Sequence, residues 1–454
     1  MGLTVDEAHY VLYGKHLALS YFDHPPLVGW VQALFHLLPL SENLQARLPA
    51  MLLSILTSWL AYRYLLKKNF TRGQSAAAVL GLNLTPLFNS LSVALLPDTL
   101  LMPLTLLIVQ KTEDILENSN LINWLALGLW LGLAGLSKYT AILYVVALVI
   151  IFVVKGRWRE LLKPGFWVGS LMAVVIVSPV LLWNLKNDFV SFKYQTDHVS
   201  GADTGYFKTF FTSLGIQVAS WGILPFFAAL WGHGLLLKNR ELISRHFVAA
   251  VFAGVFLVFF VSIAIREVLL PHWMLIYFTL MLPLATAMAL QKYSAVKTLA
   301  AVFMVSGLFS LTLLVEAAFR VLPAKAEAGL YHDIIGWPEL INEAQQKLSL
   351  VKAPQKGLAV MNWSLGSRAT YYSYERSPVF VLDQRFDQFD IWNPTSPLGY
   401  DLIILIEAEK KDDQLARIEC ENIREVGDKI TTIKDIPVHH FLYYHCAKLK
   451  LIKH

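Results

Sequence analysis

From about residue 46 to residue 319 the chain is a succession of apolar runs, most of them close to the roughly 20 residues an α-helix needs to cross a bilayer. They lie near 46–62, 74–95, 99–110, 121–136, 139–154, 165–184, 210–236, 247–265, 270–290 and 297–319. This pattern restricts the fold to an α-helical polytopic membrane protein, a bundle of about ten spans. The run at 99–110 is short: a partial span, or a helix that continues past its polar end. Composition agrees, with 56% hydrophobic and only 16% charged residues, where soluble domains carry about 25% charged. The net charge of +5 is no nucleic-acid footprint, because its distribution follows the membrane.

The basic residues gather in alternate loops. Arg63, Lys67, Lys68 and Arg72 lie in one, Lys155, Arg157, Arg159 and Lys163 in a second. Lys238, Arg240, Arg245, Lys292 and Lys297 fall in two more. An alternating threading puts these loops on one side, which the positive-inside rule assigns to the cytoplasm. The other side receives the opening segment, "ALLPDTLLMP", "GLSKYTA", "WNLKNDFVSFKYQTDHVSG", "IREVLLPHW" and everything after about residue 320. Nearly every chemically suggestive side chain is therefore expected on the extracytoplasmic face of a plasma (bacterial inner) membrane.

Three regions follow from this reading. Residues 1–45 form a first extracytoplasmic loop with interfacial helices, 46–320 the transmembrane bundle, and 321–454 a small extracytoplasmic α/β domain. In the last region "GLAVMNW", "RATYYSYE", "SPVFVLD", "DLIILIEA" and "FLYYHCAKLK" read as strands, and "WPELINEAQQKLS" and "KKDDQLARIECEN" as helical or turn segments. Cys420 and Cys446 have no metal or redox spacing. They are either a bridge in an oxidising compartment or two separate thiols. Asp6 arrives before any hydrophobic anchor, so a further helix is expected upstream of the recorded start.

Each polar group has a bland and a functional reading. Asp6 and Glu7 suit the N-terminus of a helix, where the dipole favours negative charge. Asp98 stands alone between two apolar runs, as a turn residue or, given the cost of about 2.5–3.5 kcal/mol for a charge at bilayer depth, as a group facing a cavity. Lys138 has the same character, snorkelling being its alternative. Asn184, Asp188, Gln195, Asp197 and His198 share an aromatic-rich outer loop that suits sugar binding or an interfacial belt. Arg266, Glu267, His272 and Trp273 stand at the entrance of another span. Their convergence on one face is the stronger signal.

In order, "DEAHY", "YFDHPPL", "ARLPAML", "LLPDTLLMPL", "LSKYTA", "WNLKNDFVSFKYQ" and "PHW" resemble the polytopic glycosyltransferases of the C-type fold that use polyprenyl-phosphate sugars. That group includes protein O-mannosyltransferases and the aminoarabinose transferases that modify lipid A. The resemblance covers residues 4 to roughly 320. It implies that Asp6 is the essential first-loop acid, that Asp98 is the second acid, and that Asp23 and Lys138 match the acid before the proline pair and the lysine of "LSK". Two positions depart: His9 stands where the aminoarabinose-type enzymes tend to have Arg, and His24 where they tend to have Lys.

The expected activity is transfer of a sugar from a polyprenyl-phosphate donor to lipid A or lipopolysaccharide, a glycan or a protein, with inversion. Asp6 would be the general base, worth about 10²–10⁴-fold, and Asp98 its assistant or the orienter of the acceptor. Lys138 would stabilise the departing phosphate, with Arg266 and His24 as weaker candidates; Glu7, His9, Asp23 and His272 complete the expected substrate-binding set. Nothing in the residue spacing compels a metal or other cofactor. A divalent cation bridging Asp23 and the phosphate, or zinc held by His198 or His272, is compatible with the donor types. The rival class is a transporter or flippase with Asp98 and Lys138 as coupling residues; clustering of the charges on one side and the lack of a two-half repeat weigh against it.

Overall fold

The computed structural model describes residues 2–200, 205–293, 297, 307–323, 325, 329, 331–383 and 385–452, without the side chains of 197–200, 309, 313–314 and 317–318. Its helices run α1 (Val5–Lys15), α2 (Leu27–His36), α3 (Glu42–Lys67), α4 (Arg72–Asn83), α5 (Pro86–Leu91), α6 (Pro97–Glu117), α7 (Leu121–Ser137), α8 (Ile142–Val154), α9 (Pro164–Lys186), α10 (Val190–Ser200), α11 (Tyr206–Trp221), α12 (Ile223–Lys238), α13 (Arg240–Ala264), α14 (Leu275–Lys292) and α15 (Leu308–Phe319). Two compact units result. The helical unit comprises Ala18–Val31 and Arg47–Val315; the α/β unit comprises Met1–Leu17, Gln32–Ala46 and Glu316–His454.

Among the described residues, α3, α9, α13 and Pro271–Lys292 are each long and apolar enough to cross a membrane. The expected run at 210–236 is a pair of helices, α11 and α12, bent by 105°. The break is at Gly222, whose φ of 86° favours a residue without Cβ. The run at 74–95 also divides, because Pro86 starts a new helix after Thr85. The run at 99–110 instead lengthens into the 21 residues of α6. Its polar end stays helical because Glu113 and Asp114 meet Lys68 at 2.7 Å and Lys67 at 2.6 Å. Most of the expected span at 297–319 lies outside the described residues, and its last part is α15.

The basic loops meet at one end of the helical unit. Lys68 Nζ donates to the Arg245 carbonyl at 3.1 Å, Arg157 Nη1 to that of Leu116 at 3.1 Å, and Lys155 lies 4.6 Å from the Phe247 ring centre. α14 is the central helix of this unit, buried along nearly its whole length. α9 is the opposite case: Leu171, Val174 and Val175 are each more than half exposed, as befits a lipid-facing surface.

The α/β unit continues with α16 (Trp337–Ser349), β1 (Lys356–Val360), α17 (Trp363–Ser373), β2 (Val379–Val381), α18 (Gln388–Trp392), β3 (Asp401–Glu407), α19 (Lys411–Ala416), β4 (Ile418–Ile433) and β5 (Ile436–Ile452). The sheet order is β2-β1-β3-β5-β4, parallel across β2, β1 and β3 and antiparallel at β5 and β4. Side chains alternate across the sheet as the pleat requires. Ile403 and Leu405 of β3 enter one core with Leu340 and Trp337, while Leu402, Ile404 and Ile406 enter another with Leu442 and Tyr444.

Three expectations are corrected here. "RATYYSYE" is mostly the C-terminal part of helix α17 rather than a strand: Asn362 caps the helix by accepting from the Leu365 N–H at 2.9 Å, and Leu365, Ala369 and Tyr372 recur at helical spacing on its buried side. β4 runs through "IECENIREVGDKITTI", whose charges face outward from an edge strand and mask its period. α1 does not spread its apolar side on an interface; Ala8, Val11 and Leu12 are buried in the core shared with Trp337 and Tyr443. Cys420 and Cys446 form a disulfide between β4 and β5.

Candidate active site

α6 begins at Pro97, which is suited to a first helical turn, and places Asp98 in that turn, where the helix dipole favours a carboxylate. α7 runs back and ends with Lys138 as its C-cap, where a cation is favoured. Ser137 Oγ donates to the Pro97 carbonyl at 2.6 Å and fixes the two ends together. Lys138 Nζ then donates to both carboxylate oxygens of Asp98, at 2.8 and 2.7 Å. Both residues are buried, at 3% and 8% exposure. A charge pair this dry persists only when each partner has the other. His272, in the turn before α14, brings Nε2 to 3.7 Å from Asp98 Oδ2. The 21 residues of α6 rise about 30 Å, so the cluster lies one bilayer core away from the basic loops.

Asp23 and His24 follow the bend before α2, with His24 Nε2 at 3.9 Å from Asp23 Oδ2. Their loop is held by α10: Ser191 Oγ donates to the Tyr21 carbonyl at 3.0 Å and Gln195 Nε2 to that of Asp23 at 2.8 Å. His24 is within electrostatic range of Asp98 and His272. The helical unit thus brings together Asp98, Lys138, His272 and His24. Arg266 is exposed in the turn after α13. Tyr139 adds a group that sequence reasoning passed over; its hydroxyl is buried beside the side chains of Ser20, Asn184 and Ser191. Its signal was its place directly after Lys138 at the start of an apolar run.

Lys138 and Tyr139 also line a cleft of about 410 Å³ between α7, α8 and α9, otherwise walled by side chains such as Leu131, Val145, Ala173 and Val177. Close approach of α7 and α9 shapes it. A Cβ on Gly128 would stand 2.1 Å from the Gly169 carbonyl oxygen, so only glycine fits there. An elongated apolar group with an anionic end matches this lining.

Asp6, Glu7 and His9 belong to the α/β unit. Glu7 completes a capping box: its Oε2 accepts the Thr4 N–H at 2.9 Å while the Thr4 hydroxyl accepts from the Glu7 N–H at 3.2 Å. His9 is buried, with Nδ1 2.9 Å from Ser367 Oγ and Nε2 3.2 Å from the Tyr13 hydroxyl. Five aromatic rings, of Tyr10, Tyr13, Trp363, Phe389 and Trp392, surround it at 4.8 to 6.2 Å. Asp6 is half-buried in the first turn of α1. Among the described residues no three His, Cys, Asp or Glu side chains are placed to share a metal ion, and the side chain of His198 lies outside them.

Residues 23–183 match the family described as dolichyl-phosphate-mannose-protein mannosyltransferase. The chain is 24% identical over 251 residues to the lipid A galacturonosyltransferase RgtD of Rhizobium johnstonii, an alignment covering 52% of this chain and 50% of that protein. The chain therefore spans about half the length of this curated relative. Two crystal structures of ArnT from Cupriavidus metallidurans, one apo and one bound to undecaprenyl phosphate, superpose with a TM-score of 0.66 at 15% and 16% identity. Each superposition covers 97% of this chain and 93% of ArnT. The bundle of apolar helices with a C-terminal α/β unit is the fold of ArnT.

Proposed function

We propose that this protein is an integral-membrane glycosyltransferase that moves a hexosyl or pentosyl group from a polyprenyl-phosphate donor to an envelope acceptor of the lipid A type. The reaction takes place on the extracytoplasmic face, with inversion at the anomeric carbon. The observation that carries this reading is the buried Asp98–Lys138 pair with His272 beside it, at the end of an apolar cleft and opposite the basic loops. The ArnT fold and the similarity to a lipid A galacturonosyltransferase support it.

In this scheme the donor's isoprenoid chain lies along the cleft and its phosphate approaches Lys138. The phosphate competes with Asp98 for the ammonium, and the carboxylate so released is available to orient the acceptor hydroxyl. Lys138 then compensates charge that grows as the sugar–phosphate bond breaks, which is where a fixed cation accelerates the reaction. His24, His272, Asp23 and Arg266 are the remaining substrate-binding candidates. Asp6 takes the proton of the acceptor hydroxyl as general base; Glu7 and His9 fix the helix that carries it.

The test is reconstitution of the full chain in nanodiscs with a panel of polyprenyl-phosphate sugars and lipid A, read by mass spectrometry of the acceptor. Transfer of one sugar is expected, with Asp6→Asn and Asp98→Asn each slowing it at least about 10²-fold. Normal transfer by both variants would overturn the reading. Movement of a lipid-linked sugar across sealed vesicles without transfer would favour a flippase instead.

A further inference from the structure

We infer that Arg368, a buried guanidinium of the α/β unit, is the positioning residue for Asp6, fixing the place of that carboxylate and compensating its charge. The inference rests on the reading of Asp6 as general base and deepens it within the α/β unit.

The segment before Asp6 is tied to the rest of its unit through its backbone. The Gly2 N–H donates to the Ile334 carbonyl at 3.1 Å, the Leu3 N–H to the Tyr372 hydroxyl at 2.9 Å, and the Val5 N–H to Asp333 Oδ2 at 3.3 Å. Three successive ties therefore seat the turn that bears Asp6 on the C-terminal part of the same unit. Asp333 is the branch point, since its other oxygen, Oδ1, accepts from Arg368 Nη2. One carboxylate thus couples the residue next to Asp6 with the guanidinium.

Arg368 is the only charged residue of α17, and it is 5% exposed. Its guanidinium lies 4.2 Å from the Trp337 ring centre, and Nη1 reaches the Ser364 carbonyl only at 3.5 Å. Nε is buried without a hydrogen-bond partner. A buried cation needs close negative charge, and Asp333, its ion-pair partner, has a side chain 46% exposed to solvent. Burial pulls the guanidinium below its ordinary value, and Asp333, Tyr372 and Asp6 oppose that pull. Asp6 is thus the second carboxylate whose charge reaches Arg368. His439, which also feels the charge of Arg368, is pushed down to about 4, chiefly by burial, and so is neutral near pH 7. On the helix of Asp6, Glu7 is engaged in the capping box.

The guanidinium that pairs with Asp333 also carries its positive charge within electrostatic reach of Asp6, and its planar geometry is one that a lysine ammonium does not reproduce. It also favours the ionised form of Asp6, the form that accepts a proton from the acceptor hydroxyl. An uncharged group at 368 would make the Asp6 carboxylate easier to protonate.

The experiment compares Arg368→Gln, Arg368→Lys and Asp6→Asn in the reconstituted full chain, measuring kcat, KM for the donor and the pH profile of kcat. Arg368→Gln is expected to lower kcat about 10- to 100-fold with donor KM within about twofold, and to move the acid limb up by about one pH unit. Arg368→Lys is expected to restore the limb while leaving kcat reduced. A folded Arg368→Gln protein with wild-type kcat and limb overturns the inference, and if Asp6→Asn is inactive in the same series the base assignment still stands. Wild-type activity of Asp6→Asn overturns both. If the Gln variant does not fold, the Lys variant decides: a lowered kcat with an unmoved limb supports the inference, and wild-type kcat overturns it.

Discussion

Replacing Lys138 by Met isolates the energetics of the candidate site. With contacts of 2.8 and 2.7 Å to Asp98, the attraction is about 6 kcal/mol at an effective dielectric of about 20. Desolvation of two groups that are only 3% and 8% exposed cancels most of that, so the intact pair contributes little net stability. Half a pair is another matter. Lys138→Met leaves a buried carboxylate with His272 at 3.7 Å as its nearest cation-forming neighbour, and the expected destabilisation is about 3–5 kcal/mol. The double variant Asp98→Asn/Lys138→Met removes the orphaned charge and is expected to recover to within about 1–2 kcal/mol of wild type. If the proposed function is correct, both variants are expected to lose sugar transfer. The assay is denaturant unfolding in one detergent, followed by tryptophan fluorescence, with size exclusion to verify folding. Wild-type stability of Lys138→Met, or a double variant less stable than the single one, would refute the reasoning.

Three further predictions concern other elements. Burial, reinforced by Asp383 and Asp390, pushes Asp387 up to about 7 against the hydrogen bond from the Phe389 N–H. The folded carboxyl keeps its proton where the unfolded chain has lost it, so its stabilising contribution is present below about pH 4 and lost as pH rises through 7. Asp387→Asn keeps the cap and should gain stability over wild type between pH 4 and 7, at most about 4 kcal/mol; a gap that does not widen between unfolding curves at pH 5 and pH 8 would contradict this. The Cys420–Cys446 bridge closes a separation of 26 residues and should contribute about 3.5 kcal/mol. Cys420→Ser/Cys446→Ser is then expected to speed amide exchange in β4 and β5 about 10²-fold, and unchanged exchange would count against it. Gly128→Val drives a side chain into the Gly169 carbonyl and should cost about 1–3 kcal/mol while raising the donor KM more than it lowers kcat; an unchanged KM would remove the cleft from donor binding.

Much of the candidate site was legible because polar residues in an apolar chain are conspicuous. Asp98 and Lys138 each stood alone between apolar runs, and the cost of burying either charge pointed to a cavity-facing place; that they meet each other is what the structure adds. His272 was visible for the same reason. Tyr139 was not, since a tyrosine at the end of a span is unremarkable until its hydroxyl is found buried among polar side chains. Arg368 and Asp333 lay in segments read as a strand and a connection, where one charge among many carries no signal.

Apolar run length and loop charge are local properties, so the sequence alone determined a helical membrane fold, with isolated polar residues between its apolar runs and an α/β region after it. Which helices break, which unit holds Asp6, and which cation meets which carboxylate depend on contacts between residues far apart in the chain. Asp98 and Lys138 are 40 residues apart, and Val5 and Asp333 are 328 apart. No periodicity records such separations; burial creates these pairs, because a charge removed from water requires an opposite charge and only the packed chain decides which one is near.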